Sequence, residues 1–164
     1  PYSEGIFEDI NKAVIAQFYW GNRPAAETIR EYVAYEFSSD VVDSVMKSIH
    51  IFEANQLRHW ENGDYSPPFT KCIMPEDHGS VIAEDMMQNA NKLLPEWAKK
   101  QWRWRLLYLR ALIDAELFKN SGIPAEKCEP WFEELTGIYH AQNAETAVHP
   151  PDLKTRNTKS FHIL

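Results

Sequence analysis

The chain has 164 residues, of which 44% are hydrophobic and 25% are charged, a composition typical of one globular domain rather than of a disordered segment. Its net charge of −7 excludes nucleic acid as a general partner, because contact with a phosphate backbone needs a basic face. No stretch approaches the roughly 20 apolar residues of a membrane span, and the first residues lack the basic and apolar segments of a signal peptide.

Apolar residues recur at three- and four-residue spacing along most of the chain. This spacing predicts an all-α fold, a single bundle of five or six helices with a long central helix and an extended C-terminal tail. The first helix is expected at residues 7–19 and ends before Gly21, since glycine commonly follows a helix end. The second begins at Pro24, whose missing N–H is not needed in a first turn. The predicted inward residues are Ile10, Ala13, Val14 and Phe18 in the first helix and Ile29, Tyr32, Val33 and Phe37 in the second.

Two further helices are separated by a long connection. The sequence SSD at residues 38–40 predicts the cap of a third helix, which runs to about residue 60. Turn sequences in residues 61–75 predict a connection that either packs its own aromatics, Tyr65 and Phe69, or serves a partner. A fourth helix follows at residues 80–94. The predicted inward residues are Val41, Val45, Ile49 and Phe52 in the third helix and Ile82, Met86 and Leu93 in the fourth.

The fifth helix, expected at residues 95–120, is apolar on two opposed faces. The first face, predicted to belong to the core, carries Trp97, Trp104, Tyr108, Leu112 and Ala115. The second face carries Trp102, Leu106, Leu109, Ile113 and Leu117. This second face is expected to be covered either by helices of the same chain, which makes the helix the central element, or by a partner. In the latter case Trp102, Leu106 and Leu109 form the candidate interface.

A sixth helix is expected at residues 125–141, where Pro130 either kinks the helix or starts its main part. Its predicted inward residues are Phe132, Leu135, Ile138 and Tyr139. Because the periodicity fades after Asn143, residues 1–143 are predicted to form the bundle and residues 144–164 an extended surface tail. The whole is expected to be a piece of a larger multidomain protein.

No set of residues has the spacing of a catalytic, cofactor or metal site. None of the six histidines forms HExxH or ExxH, and there is no glycine-rich phosphate loop. Cys72 and Cys128 are expected to be small core residues, although a bond between them is left open. The tryptophans at helical spacing are expected in the core or an interface rather than as platforms for sugar. We therefore predict no catalytic, cofactor-binding or metal-binding residue in this chain.

A family resemblance lies near the start of the chain. Residues 2–12 (YSEGIFEDINK), followed by Tyr19 and Trp20, resemble a segment of bacterial polysaccharide-degrading proteins of the α-glucuronidase glycoside hydrolase type. Three further stretches of this chain, residues 26–32, 35–37 and 103–114, resemble the helical region of that family. In the family, the first segment follows the last strand of a TIM barrel and leads into a C-terminal helical domain.

The resemblance implies a non-catalytic helical domain, because the barrel and its catalytic carboxylates are not in this sequence. It also implies that Tyr2, Ser3 and Glu4 border the parent enzyme's active site, with a linker and helix cap as the alternative. The first interpretation is therefore an accessory domain that packs on a catalytic domain or mediates homo-oligomer contacts, in a secreted or periplasmic parent of carbohydrate metabolism. The alternative is an independent protein- or glycan-binding module that uses residues 61–75.

Overall fold

The structure, a computed structural model, describes residues 5–55, 79–120 and 125–146. In these ranges the chain forms seven α-helices, three short 3-10 helices and no strand. The α-helices are α1 (Glu8–Trp20), α2 (Ala25–Glu36), α3 (Val42–Ala54), α4 (Gly79–Leu93), α5 (Glu96–Lys99), α6 (Trp102–Lys119) and α7 (Glu129–Thr146). The 3-10 helices are Gly5–Phe7, Ser39–Val41 and Glu126–Cys128. The predicted all-α class is confirmed.

Helix α6 is the central element of the bundle. It packs against α3, α4, α5, α7 and the first 3-10 helix, and its most extensive contact is with α4. Its buried side chains occur on all sides of the helix, since Leu106, Leu107 and Leu109 are buried within one turn. The chain's own helices therefore cover the second apolar face at Leu106 and Leu109, so these two residues do not offer a surface to a partner.

The predicted fifth helix is broken in two. Gln101 separates α5 from α6 with an extended backbone (φ −64°, ψ 136°), so the residues before and after it do not share one helical phase. As a result Trp97 is 57% exposed, whereas Trp104 is fully buried. The prediction that Trp97 belongs to the core was wrong, because it assumed an uninterrupted rotation of 100° per residue.

Helix α4 buries a different face from the predicted one. The buried apolar residues are Ala83, Met87 and Ala90, whereas Ile82 and Leu93 are exposed. The observed face is one residue out of phase with the predicted one, a rotation of about 100°. Two of these buried residues are alanines, and this face packs against α3 and α6. Small side chains suit close packing between helices, whereas the prediction had placed the largest apolar side chains inside.

The other helices follow the predictions more closely. The third-helix stripe from Val41 to Phe52 is buried, and the Ser38 hydroxyl accepts a hydrogen bond from the Asp40 N–H at 3.2 Å. In α2, Val33 is buried, as is Phe37 directly after the helix end, while Ile29 and Tyr32 pack on the core's edge. In α1 the prediction fails at Phe18, which is exposed.

Helix α7 packs on the core through Leu135 and Ile138. Pro130 is its second residue, so it lies in the first turn and does not kink the helix. The helix continues to Thr146, into the segment predicted as tail. The side chain of Cys128 is a buried free thiol. Predictions for Tyr65, Phe69, Cys72, the Tyr139 side chain and residues 147–164 lie outside what the structure describes.

Candidate functional site

Four apolar side chains at the carboxyl end of α1 are exposed. The exposed fractions are 51% for Ile15, 71% for Phe18, 84% for Tyr19 and 88% for Trp20. Ile15, Phe18 and Tyr19 have the spacing of one helix face, and Trp20 extends it around the helix end. No residue from 15 to 22 is charged at neutral pH. We call these four residues the α1 surface; contiguous exposed apolar groups of this kind mark contact sites.

A charged rim adjoins the α1 surface where the chain turns into α2. The Gly21 N–H donates to the Gln17 carbonyl at 3.1 Å, which closes the last turn of α1. Beyond it, Arg23 donates through Nε to Glu27 (3.2 Å) and through Nη1 and Nη2 to Glu31 (2.7 and 2.5 Å). The guanidinium lowers the pKa of Glu31 through these hydrogen bonds. Since one arginine faces two carboxylates, this rim has a net negative charge.

A polar network fixes the opposite end of α1 to the bundle. Asp9 Oδ2 accepts hydrogen bonds from Tyr32 Oη (2.7 Å) and Arg103 Nε (2.5 Å), so it joins α1 to α2 and α6. Arg103 also lies 3.7 Å from a Glu36 carboxylate oxygen. Burial, followed by the hydrogen bond to Asp9, raises the pKa of Tyr32, which therefore stays a neutral donor. The α1 surface is thus carried by a helix with a fixed position.

A second polar cluster lies where α3 ends, α4 begins and α6 passes. Arg110 Nε lies 2.7 Å from both carboxylate oxygens of Asp114. Asn55 hydrogen-bonds to Asp114 and donates through Nδ2 to the buried Ser80 Oγ at 3.0 Å. Burial raises the pKa of Asp114, and Arg110 opposes this shift. Among the described residues the cluster holds one carboxylate and neither a second acid nor a histidine, and this arrangement suits helix positioning.

A second set of exposed apolar residues runs along α4 and α5. Ile82, Leu93 and Trp97 are exposed, and Met86 is partly buried between them. On α4 these positions fall about 100° from the centre of the buried face, so they flank the core instead of facing away from it. The α1 surface is both more exposed and more aromatic, which makes it the stronger candidate site.

Among the described residues, no group of three or more His, Cys, Asp or Glu side chains could hold a metal ion. Within the same part of the chain, no helix has the length and apolar character needed to cross a membrane.

The predicted site residues are not brought together. Tyr2, Ser3 and Glu4 lie outside the described residues. Trp102 is partly buried, with the Arg103 guanidinium carbon 4.5 Å from its ring centroid. Leu106 and Leu109, the other two candidates for an interface, are buried in the core of the chain.

Sequence reasoning missed the α1 surface because Phe18 has core-like spacing with Ile10 and Val14. The available signal was that residues 15–22 contain no charged residue. The predicted helix therefore ends in Tyr19 and Trp20, at positions where polar residues would be usual.

Comparison of the chain with known protein families, with curated proteins and with solved structures found no match in any of the three.

Proposed function

We propose that this chain is a non-catalytic accessory α-helical domain that packs on a neighbouring protein domain or subunit through the α1 surface. The observation that carries the proposal is the exposure of Phe18, Tyr19 and Trp20 on a helix that the Asp9 network holds in place. Aromatic side chains are enriched in the buried centres of protein interfaces, because large rigid rings gain contact area at little entropic cost.

The ion pairs along and between the helices support a structural role. Asp114 is matched by Arg110, and Glu116 by Lys127 at 2.5 Å. Arg105 binds both carboxylate oxygens of Glu134 at 2.6 and 2.7 Å and so ties α6 to α7. These carboxylates are engaged in contacts between or along helices, which is the arrangement expected of a packing domain.

The carbohydrate context of this proposal rests on the sequence resemblance at residues 2–12 and at Tyr19 and Trp20. On that basis the parent is a bacterial glycoside hydrolase of the α-glucuronidase type. The domain packs on its catalytic barrel or joins its subunits. Tyr2, Ser3 and Glu4 then belong to the rim of the barrel's active site.

The test compares two variants of the intact gene product, Tyr19→Ser and Tyr35→Ser. Tyr35 is a matched control, because it is 85% exposed, as Tyr19 is, but lies on α2 outside the α1 surface. Cross-linking mass spectrometry should recover links from Lys12 to another domain or subunit in the wild type and in Tyr35→Ser, and lose them in Tyr19→Ser. Equal links in all three proteins would contradict the proposal. A gene product with no barrel sequence would remove its carbohydrate context.

Binding of a glycan is the second candidate, because exposed rings such as Tyr19 and Trp20 also stack on sugars. Affinity electrophoresis in gels that contain soluble polysaccharides distinguishes the two functions. Retardation of the wild type, lost in Trp20→Ala and kept in Tyr35→Ala, would favour the glycan-binding module. Unchanged mobility in every gel favours protein packing.

A further inference from the structure

We propose that the partner of the α1 surface encloses the end of α1 in an apolar pocket whose rim is basic. This inference rests on the proposed function and specifies the shape and the charge of the partner. Three features of the α1 surface support it: the directions in which its aromatic side chains point, the area that they expose, and the charges beside them.

The aromatic side chains at the end of α1 point in different directions. At 100° per residue, Phe18, Tyr19 and Trp20 span about 200° of the helix circumference, so Phe18 and Trp20 lie on nearly opposite sides. The rest of the circumference carries the partly buried Val14 and Gln17, and this is the side on which the bundle lies. A flat surface that contacts Phe18 therefore cannot also contact Trp20, whereas the walls of a pocket reach both.

The exposed area also favours contact on more than one side. With roughly 200 Å² for each large apolar side chain, the exposed parts of Ile15, Phe18 and Tyr19 amount to about 400 Å². A flat contact would therefore bury about 800 Å² over both partners, which is no more than crystal-packing contacts bury. A pocket that also covers Trp20, which is 88% exposed, buries about 1,100 Å² and reaches the area expected of a specific interface.

The charges beside the α1 surface favour a basic partner. Residues 15–22 carry no charge, so a pocket can close over them without burying an ionised group. Next to them, Arg23 faces both Glu27 and Glu31, which leaves this rim with a net negative charge. The last turn of α1 carries no basic residue, so no side chain of that turn balances the negative end of the helix dipole. Lysine or arginine side chains around the pocket would complement both features.

A lipid surface could also surround the end of a helix, but the charges argue against it. Anionic lipids give a membrane surface a negative potential, which the acidic rim and the net charge of −7 oppose. The wild-type chain should therefore not float with vesicles of phosphatidylcholine and phosphatidylserine. Flotation that is lost in Trp20→Ala would overturn the proposal.

Photo-cross-linking in the intact gene product tests the pocket. The photoreactive amino acid p-benzoylphenylalanine replaces Phe18, Trp20 or Tyr35 in three separate variants, and all three positions are exposed. Positions 18 and 20 should both form links to the same neighbouring domain or subunit, at segments on opposite walls of the pocket. Position 35, on α2 outside the α1 surface, should form at most about a tenth as many links. Links from position 18 alone would show a flat contact, and equal links from all three positions would show no specific contact; either result overturns the proposal.

A charge experiment tests the basic rim. Glu27→Gln combined with Glu31→Gln leaves Arg23 without a carboxylate, and should lower the yield of links from position 20 by about tenfold. Glu53→Gln combined with Glu133→Gln is the matched control, because both glutamates are exposed and lie on α3 and α7. The yield in this control should stay within about twofold of the wild-type background. Equal yields in the two double variants contradict the basic rim.

The two proposals fail separately. If position 18 forms links to another domain and position 20 does not, the pocket is refuted and the packing function stands. If neither position forms links and Tyr19→Ser changes no cross-link, both are refuted.

Discussion

Truncation of Trp104 should cause one of the largest losses of stability in this protein. Its indole is fully buried at the centre of the bundle, and Nε1 donates a hydrogen bond of 2.9 Å to Asn91 Oδ1 on α4. The ring meets Phe37 edge-on at 5.3 Å and stacks with Tyr108 at 6.2 Å between centroids. A buried Trp→Ala change costs about 3–5 kcal/mol. We expect the upper end of this range, about 5 kcal/mol, because a hydrogen bond of roughly 1 kcal/mol and two aromatic contacts of about 0.5–1.5 kcal/mol each are lost together with the buried ring.

Urea denaturation followed by far-UV circular dichroism measures this loss. A domain of this size is stabilised by about 5–15 kcal/mol in total, so Trp104→Ala is expected to be only marginally folded. Trp104→Phe is a milder change that should lower the free energy of unfolding by about 1–3 kcal/mol. Trp97→Ala is the matched control, because more than half of that side chain is exposed and its removal should cost less than about 1 kcal/mol. Equal losses for Trp97→Ala and Trp104→Ala would refute the separation of α5 from α6.

Three further predictions concern polar groups. Burial raises the folded-state pKa of Asp114, so the folded chain binds this proton more tightly than the unfolded chain does. The stability of the wild type relative to Asp114→Asn should therefore rise as the pH falls through the folded-state pKa and level off below about 4, near the unfolded-state pKa. Urea melts from pH 7 to pH 4 that show no such rise contradict the assignment. Arg103→Ala should lower the free energy of unfolding by about 1–3 kcal/mol, because it leaves the partly buried Asp9 without its cation. Arg30→Ala removes an ion pair that is exposed to water and should cost less than about 1 kcal/mol. Equal losses for the two variants in denaturant melts argue against the network that joins α1, α2 and α6. Gln101 occupies the N-cap of α6 without a side-chain cap bond, and its buried Oε1 has no hydrogen-bond partner among the described residues. Because a serine hydroxyl can accept a hydrogen bond from the first turn, Gln101→Ser should raise the free energy of unfolding by about 0.5–1 kcal/mol. A lower thermal midpoint for this variant would count against the cap geometry.

The helical class was predictable because the period of apolar residues is a local property. Val41, in the turn that leads into α3, and Val45, Ile49 and Phe52 in α3 have the spacing of one stripe, and all four are buried. Capping by Ser38 was equally local, because it requires only a hydroxyl that reaches a nearby N–H.

The candidate site was not predictable in the same way. Phe18 has the spacing of a core residue, and nothing in the neighbouring sequence shows that the other helices leave this part of α1 uncovered. The contact between Asp9 and Arg103 joins residues 94 positions apart, and it arises only when α1 and α6 meet. No periodicity connects two such positions.

The sequence by itself determined that this protein is helical, and it determined which faces of α2 and α3 are apolar. The tertiary structure decided which of two apolar faces each helix buries: α4 packs through Ala83, Met87 and Ala90 and leaves Leu93 outside. The physical reason is that the hydrophobic effect has no direction, so an apolar face favours burial without specifying its neighbour. Close packing then selects the face whose shape fits the neighbouring helices, and in α4 the buried face is the one with the smaller side chains.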